Sequence, residues 1–137
     1  MPLGVIMPPD HPLADRPVLT LAECGDYPMI FQEDTRPIRS LLEAELAATK
    51  AAATPILTSN TQTLIKRMVR AGLGIAFYTR LAFMDEIARG KLVHVPLADH
   101  SLANLKLGLV VPKYRQPAVA AALLIEHLSE AMGSLAV

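Results

Sequence analysis

The stretch Leu57–Arg80, LTSNTQTLIKRMVRAGLGIAFYTR, decides the fold, because it reads as strand, helix, glycine stop and strand in immediate succession. The first strand is Pro55 to Thr58. The helix opens at Ser59-Asn60-Thr61, whose short polar side chains can accept the orphan N–H groups of a first turn. Leu64, Ile65, Met68 and Val69 recur at i, i+1, i+4 and i+5 as one apolar stripe. Lys66, Arg67 and Arg70 lie away from that stripe and suit the negative C-terminal end of the helix dipole. Gly72 stops the helix, and Gly74 to Tyr78 follows as a short apolar run of strand type. The unit reads as a right-handed crossover between two parallel strands.

Outward from this unit the pattern repeats. Gly4 to Met7 is a short strand halted by Pro8-Pro9, Asp10 to Pro17 a turn-rich loop, Leu19 to Cys24 a short helix and Pro28 to Phe31 a strand. Pro37 falls in the first turn of a helix, where its missing N–H costs nothing, and Ile38, Leu41, Leu42 and Leu46 give that helix its buried stripe. The stripe fades in Ala47 to Ala53. After Arg80 come a helix at Leu81 to Arg89 stopped by Gly90, a strand at Leu92 to Val95, and a loop at Leu97 to Ala103. A strand at Leu105 to Val111 and a helix from Pro117 to Met132 close the chain. Strands alternating with helices predict an α/β fold, a mainly parallel or mixed sheet with helices on both faces.

Composition narrows the function. The chain has 137 residues, 52% of them apolar, which is ample for one core. Its 13 basic and 13 acidic residues cancel, so no basic field exists to hold a nucleic-acid backbone, and DNA binding by this chain alone is not expected. Lys66, Arg67 and Arg70 read instead as a solvated helix face. The start lacks the charged and apolar regions of a signal peptide, and the most apolar helix, Ala118 to Leu128, is interrupted by Glu126 and His127. Export and membrane spanning are not expected; the cytoplasm is the expected compartment. One cysteine, Cys24, excludes an internal disulfide and a multi-cysteine metal site.

Several of these segments also carry a resemblance. They are the polar S-N-T corner, the helix end Val69-Arg-Ala-Gly-Leu-Gly-Ile-Ala76, the segment Ile87-Ala-Arg-Gly-Lys-Leu-Val93 and the strand closing on Val95-Pro-Leu97. Upstream stand Met7-Pro-Pro-Asp-His-Pro-Leu-Ala14 and Leu19 to Ile30, and downstream Asn104 to Val111 with the last helix. In this order, over nearly the whole chain, they resemble the effector-binding domain of LysR-type transcriptional regulators. The resemblance implies the second lobe of a type 2 periplasmic-binding-protein-like fold over residues 1–112, with hinge strands near 4–9 and 105–111. Residues 113–137 then hold a C-terminal helix that returns to the first lobe. The winged helix-turn-helix and the start of the first lobe do not precede Met1, so the chain is expected to be a C-terminal piece. It would touch DNA only through a domain it lacks, bind a small effector, a carboxylate or other anion, in the inter-lobe cleft, and self-associate.

Ligands of open α/β sheets collect outside the carboxyl ends of the strands. Three corners qualify: Gln32, Glu33, Asp34, Thr35 and Arg36; Thr58, Ser59, Asn60 and Thr61; and Tyr78, Thr79 and Arg80. Hydroxyls, amides and an arginine at helix starts suit a small carboxylate or phosphate-bearing ligand, although Ser, Asn and Thr there also serve as plain caps. Many members of the resembling family carry leucine-proline where this chain has Tyr78-Thr79. His11, fixed in the Pro-Pro-Asp-His-Pro turn, is kept both as a ligand contact and as a turn residue.

Enzyme chemistry is not expected. Cys24 sits at a helix end without a nucleophile elbow and reads as a structural thiol. His94 alternates with Val93 and Val95 on a strand and is expected to face solvent or a lobe boundary; His100 lies in a loop and His127 on the last helix. No two histidines have helical metal-ligand spacing, and no glycine-rich phosphate loop is present, so neither metal nor cofactor is expected. The alternatives are half of a type 2 solute-binding transport protein, which shares the scaffold, and a small hydrolase.

Overall fold

The computed structural model describes residues 1–33, 37–48, 55–103, 105–106 and 108–134. Met1–Leu105 is one compact unit and Lys106–Val137 a second. Strands β1 (Leu3–Met7), β2 (Met29–Gln32), β3 (Pro55–Ser59), β4 (Ile75–Thr79) and β5 (Val93–Pro96) form one sheet in the order β3-β2-β4-β1-β5. β2 runs parallel to β3 and to β4, whereas β1 runs antiparallel to both β4 and β5. Four strands therefore point one way and β1 the other, the mixed sheet the alternation predicts. The two strands of the Leu57–Arg80 unit are parallel through β2, which lies between them rather than leaving them adjacent.

Strand alternation divides the core into two layers. Leu3, Val5 and Met7 of β1, with Phe31, Phe77 and Val95, pack on one face against α1 (Leu21–Cys24), α2 (Pro37–Ala48) and α5 (His100–Ala103). Ile6, Ile30, Ala76 and Tyr78 pack on the other against Ile65 and Val69 of α3 (Gln62–Arg70) and against Phe83 and Leu92. Phe83 ends a 3-10 turn, Arg80–Phe83, that runs into α4 (Met84–Ala88). All five residues of β1 are buried, as expected of a strand covered on both faces.

The helix stops follow the sequence closely. Gly72 adopts φ +73°, with its N–H bonded to Val69 O at 2.9 Å and the Leu73 N–H to Met68 O at 3.1 Å. These two bonds satisfy the last carbonyls of α3 in a Schellman arrangement that needs a left-handed residue. Gly90, at φ +65°, ends α4 likewise, with Gly90 N to Ile87 O at 3.0 Å and Lys91 N to Glu86 O at 2.8 Å.

Four expectations change. Leu64 is not in the buried stripe of α3 but 43% exposed, because Ile65 and Val69 alone point squarely at the sheet. The Leu97–Ala103 loop contains α5, started by Asp99, whose backbone carbonyl accepts the N–H groups of Leu102 and Ala103. The described residues of 105–111 form no strand. Leu105 instead pairs with Met1, whose terminal ammonium donates to Leu105 O at 2.7 Å while the Leu105 N–H donates to Met1 O at 3.1 Å, and among the described residues no ladder continues past it. The fourth concerns His94. It is half-buried on the α3 face, its Nε2 3.2 Å from Tyr78 O. The ring reaches from β5 across β1 to β4 by lying over Gly4. Residues 49–54, on which the fading end of the second helix was expected, lie outside the described residues. In the second unit, α6 (Val119–Ser134) covers most of the expected final helix.

A Cβ on Gly4 would stand 2.3 Å from His94 Nε2 and 2.6 Å from the Val95 carbonyl oxygen. Replacing Gly4 by Ala should therefore destabilise the chain by about 1–3 kcal/mol, the usual cost of overpacking a core. Urea unfolding would read this as a lower midpoint at unchanged slope; an unchanged midpoint would show that the ring has free space to move into.

Candidate functional site

A cavity of about 300 Å³ opens where β2 and β4 end. Phe31 and Gln32 from β2, and Phe77, Tyr78 and Thr79 from β4, bring their carboxyl-terminal ends to it. Because β1 is antiparallel, with Leu3 paired to Thr79, the first residue of β1 joins the same end. Ile38, Arg39 and Leu42 from the first turns of α2 form one side wall, and Gln62 at the start of α3 with Ala82 forms the other. This is the crevice outside the strand ends where open α/β sheets take ligands.

The walls differ in chemistry. On the α2 side the rings of Phe31 and Phe77 stack with centroids 5.8 Å apart and planes inclined by 25°. The Arg39 guanidinium lies 5.8 Å from the Phe31 centroid, and its Nε donates to Glu43 Oε1 at 2.8 Å. On the α3 side, Gln62 Nε2 donates to Ala82 O at 2.9 Å, tying the start of α3 to the 3-10 turn. Arg39 is the one charged side chain among the described residues that line the cavity.

The expected site residues separate into groups. Gln32 and Tyr78 line the cavity, and so does Thr79 of the third corner. Glu33 is exposed, and its backbone N–H bonds to Ser59 O at 2.8 Å. Thr35 and Arg36 lie outside the described residues. Thr58, Ser59, Asn60 and Thr61 stand at the end of edge strand β3 and do not line the cavity. There they organise one another: Ser59 Oγ accepts the Thr61 N–H at 3.0 Å, and Thr61 Oγ1 donates to Asn60 Oδ1 at 3.2 Å. Thr61 occupies the N-cap of α3 without a side-chain cap bond, so the expected cap chemistry is replaced by this turn. His11 follows the other end of β1. It packs on Tyr27 at 4.7 Å and accepts the Leu13 N–H through Nδ1 at 3.2 Å, which suits its turn reading.

Sequence reasoning missed Leu3, Arg39 and Gln62. The available signal was their position at the first residue, or within two residues of it, of an element that begins at the crevice.

A second depression of about 450 Å³ lies between α3 and α4 and is lined by Gln62, Thr63, Lys66, Asp85 and Glu86, among others. Lys66 Nζ donates to Glu86 Oε1 at 2.7 Å, and this bond holds the Glu86 carboxyl below its usual range. With Asp85 also in the lining, the depression carries one cation against two carboxylates, which disfavours an anionic ligand. Cys24 is fully buried and donates to Thr20 O at 3.4 Å; burial, with the nearby Glu23 and Asp99 charges, pushes its thiol up to about 12. It is no nucleophile in this state. Among the described residues there is no cluster of metal-binding side chains and no helix long and apolar enough to cross a membrane.

The chain matches the LysR substrate binding domain over residues 1–133 and belongs to that family. Among curated proteins it is 30% identical over 132 residues to an HTH-type transcriptional regulator of Mycobacterium tuberculosis, covering 93% of this chain and 42% of that one. It is 29% identical over 133 residues to the HTH-type transcriptional regulator SsuR of Burkholderia cenocepacia, with 93% and 42% covered. The chain thus spans 42% of the length of these relatives. Among solved structures it is similar to HinK, a LysR family transcriptional regulator from Pseudomonas aeruginosa. The TM-score is 0.78 at 23% identity, over 98% of this chain and 46% of HinK. It is also similar to the regulatory domain of Synechocystis PCC6803 CcmR in complex with 2-PG, with a TM-score of 0.72 at 21% identity, over 98% of this chain and 64% of that one. The fold is that of LysR regulatory domains, of the type 2 periplasmic-binding-protein-like class.

His94 offers a pH test of the packing around Gly4. Burial lowers its pKa below the ordinary 6.5, the Tyr78 carbonyl opposes this and the Arg80 charge adds to it. A histidine held neutral in the folded state contributes stability that is complete above about pH 6.5 and lost as pH falls through the lower folded value. Stability should accordingly decline from pH 7 to pH 5, and replacing His94 by Gln should flatten that decline. An NMR titration placing the His94 midpoint at or above 6.5 would refute this.

Proposed function

We propose that this chain is the effector-sensing part of a LysR-type transcriptional regulator, holding a small anionic metabolite at the carboxyl ends of β2 and β4. The observation that carries the reading is the cavity there, with Arg39 above Phe31 and the polar side chains of Gln32, Gln62 and Thr79 around it. A mostly apolar pocket with a few convergent polar groups is the usual form of a small-molecule site. CcmR was solved in complex with 2-PG and the effector-binding domain of QuiR in complex with shikimate. The reading assigns residues 1–112 to the second lobe and 113–137 to a returning helix, no catalysis, a cytoplasmic setting, and DNA contact through another domain of the parent protein. Ligand binding controls transcription by favouring one lobe arrangement, to the extent that affinities for the two arrangements differ.

Half a cleft gives a weak site. Acidic metabolites screened by NMR on the isolated chain should bind no tighter than about 1 mM. The amides they move should cluster at Phe31–Gln32, Gln62 and Tyr78–Thr79. Perturbations confined to the α3–α4 depression or to the His11 turn would overturn the reading.

Self-association belongs to the same proposal. Val119, Leu123 and Leu124 of α6 are 79%, 61% and 56% exposed, and apolar surface left in water costs about 25 cal/mol per Å². Sedimentation velocity should show a coefficient rising with concentration, which Leu123→Glu abolishes. A monomer at every concentration would contradict it.

A further inference from the structure

We propose that the ligand of the strand-end cavity is a singly charged carboxylate carried on a compact apolar ring. The inference rests on the effector-site reading and narrows the ligand within it. Three observations lead to it. The wall toward α2 is hydrocarbon: Phe31 and Phe77 stacked at 5.8 Å, with Leu3, Ile38 and Leu42 around them. Among the described residues that line the cavity the one charged group is a guanidinium, and it sits over an aromatic face, 5.8 Å from the Phe31 centroid. The volume, about 300 Å³, is enough for one ring with its substituent.

The same features argue against the other anions. A phosphate carries nearly two charges and needs several donors to leave water, whereas the described residues of this lining supply one cation, whose Nε is committed to Glu43 at 2.8 Å. A sugar acid needs hydrogen-bond partners on every face of its ring, and among the described residues the α2 wall offers Arg39 alone. A ring with one carboxylate meets what is present. Its face packs on the phenylalanine side, and its carboxylate takes the guanidinium nitrogens that Glu43 leaves free. Gln32 and Thr79 stand at the strand ends to complete the polar edge. Glu43 competes for the same cation, so it limits affinity.

The test uses the full chain with benzoate, cyclohexanecarboxylate, acetate, inorganic phosphate and benzyl alcohol as probes, read by amide shifts and thermal melts. Both ring acids should bind at the strand ends, on the order of tenfold tighter than acetate or phosphate. Arg39→Gln, a half-exposed helix substitution, should weaken the ring acids about tenfold and leave benzyl alcohol unchanged, while Glu43→Gln should tighten the ring acids. Acetate or phosphate binding at the strand ends as tightly as benzoate would overturn the ring requirement and leave the effector site standing. Identical benzoate affinity in wild type and Arg39→Gln would overturn the role given to the guanidinium. Failure of every probe to move the strand-end amides would overturn the ring proposal, and the effector-site reading survives that result only if other acidic metabolites move them.

Discussion

The arrangement depends on β1 running against its neighbours. Its five residues are buried on both faces, and it is the strand that lies between β4 and β5. One such strand inserted among parallel ones has two consequences. Its N-terminal residue, Leu3, arrives at the carboxyl end of β4 and becomes part of the cavity. Its second residue, Gly4, lacks a side chain, so the His94 ring crosses above it and bonds to the Tyr78 carbonyl, fastening β5 to β4 over the intervening strand. A polar ring in that position is tolerable because it has a partner; buried without one it would cost several kcal/mol.

Much of this was legible in the residues, and the reasons are local. Gly72 and Gly90 announced helix stops because only a left-handed residue completes a Schellman turn, and both have positive φ. Leu42 and Leu46 announced the inward face of α2 by their spacing, and both are 3% exposed. Pairing partners were not legible. Periodicity tells which residues share a face, but not that β2 would enter between β3 and β4 or that β1 would be antiparallel, since these depend on contacts distant in sequence. His94 shows the limit most plainly: its alternation with Val93 and Val95 set the face, and what that face meets depends on a glycine ninety residues away.

The site was half legible for a related reason. The rule that ligands gather at strand carboxyl ends located Gln32, Tyr78 and Thr79. It also nominated Thr58 to Thr61, which stand at the sheet edge away from the cavity, where Ser59, Asn60 and Thr61 bond to one another. Arg39 was hidden by its partner. An arginine four residues from a glutamate reads as a solvated helix pair, and such pairs contribute only a few tenths of a kcal/mol. That small value is what leaves the guanidinium available. A carboxylate arriving from outside displaces little by recruiting it, whereas a cation fixed in a strong buried pair would be costly to redirect.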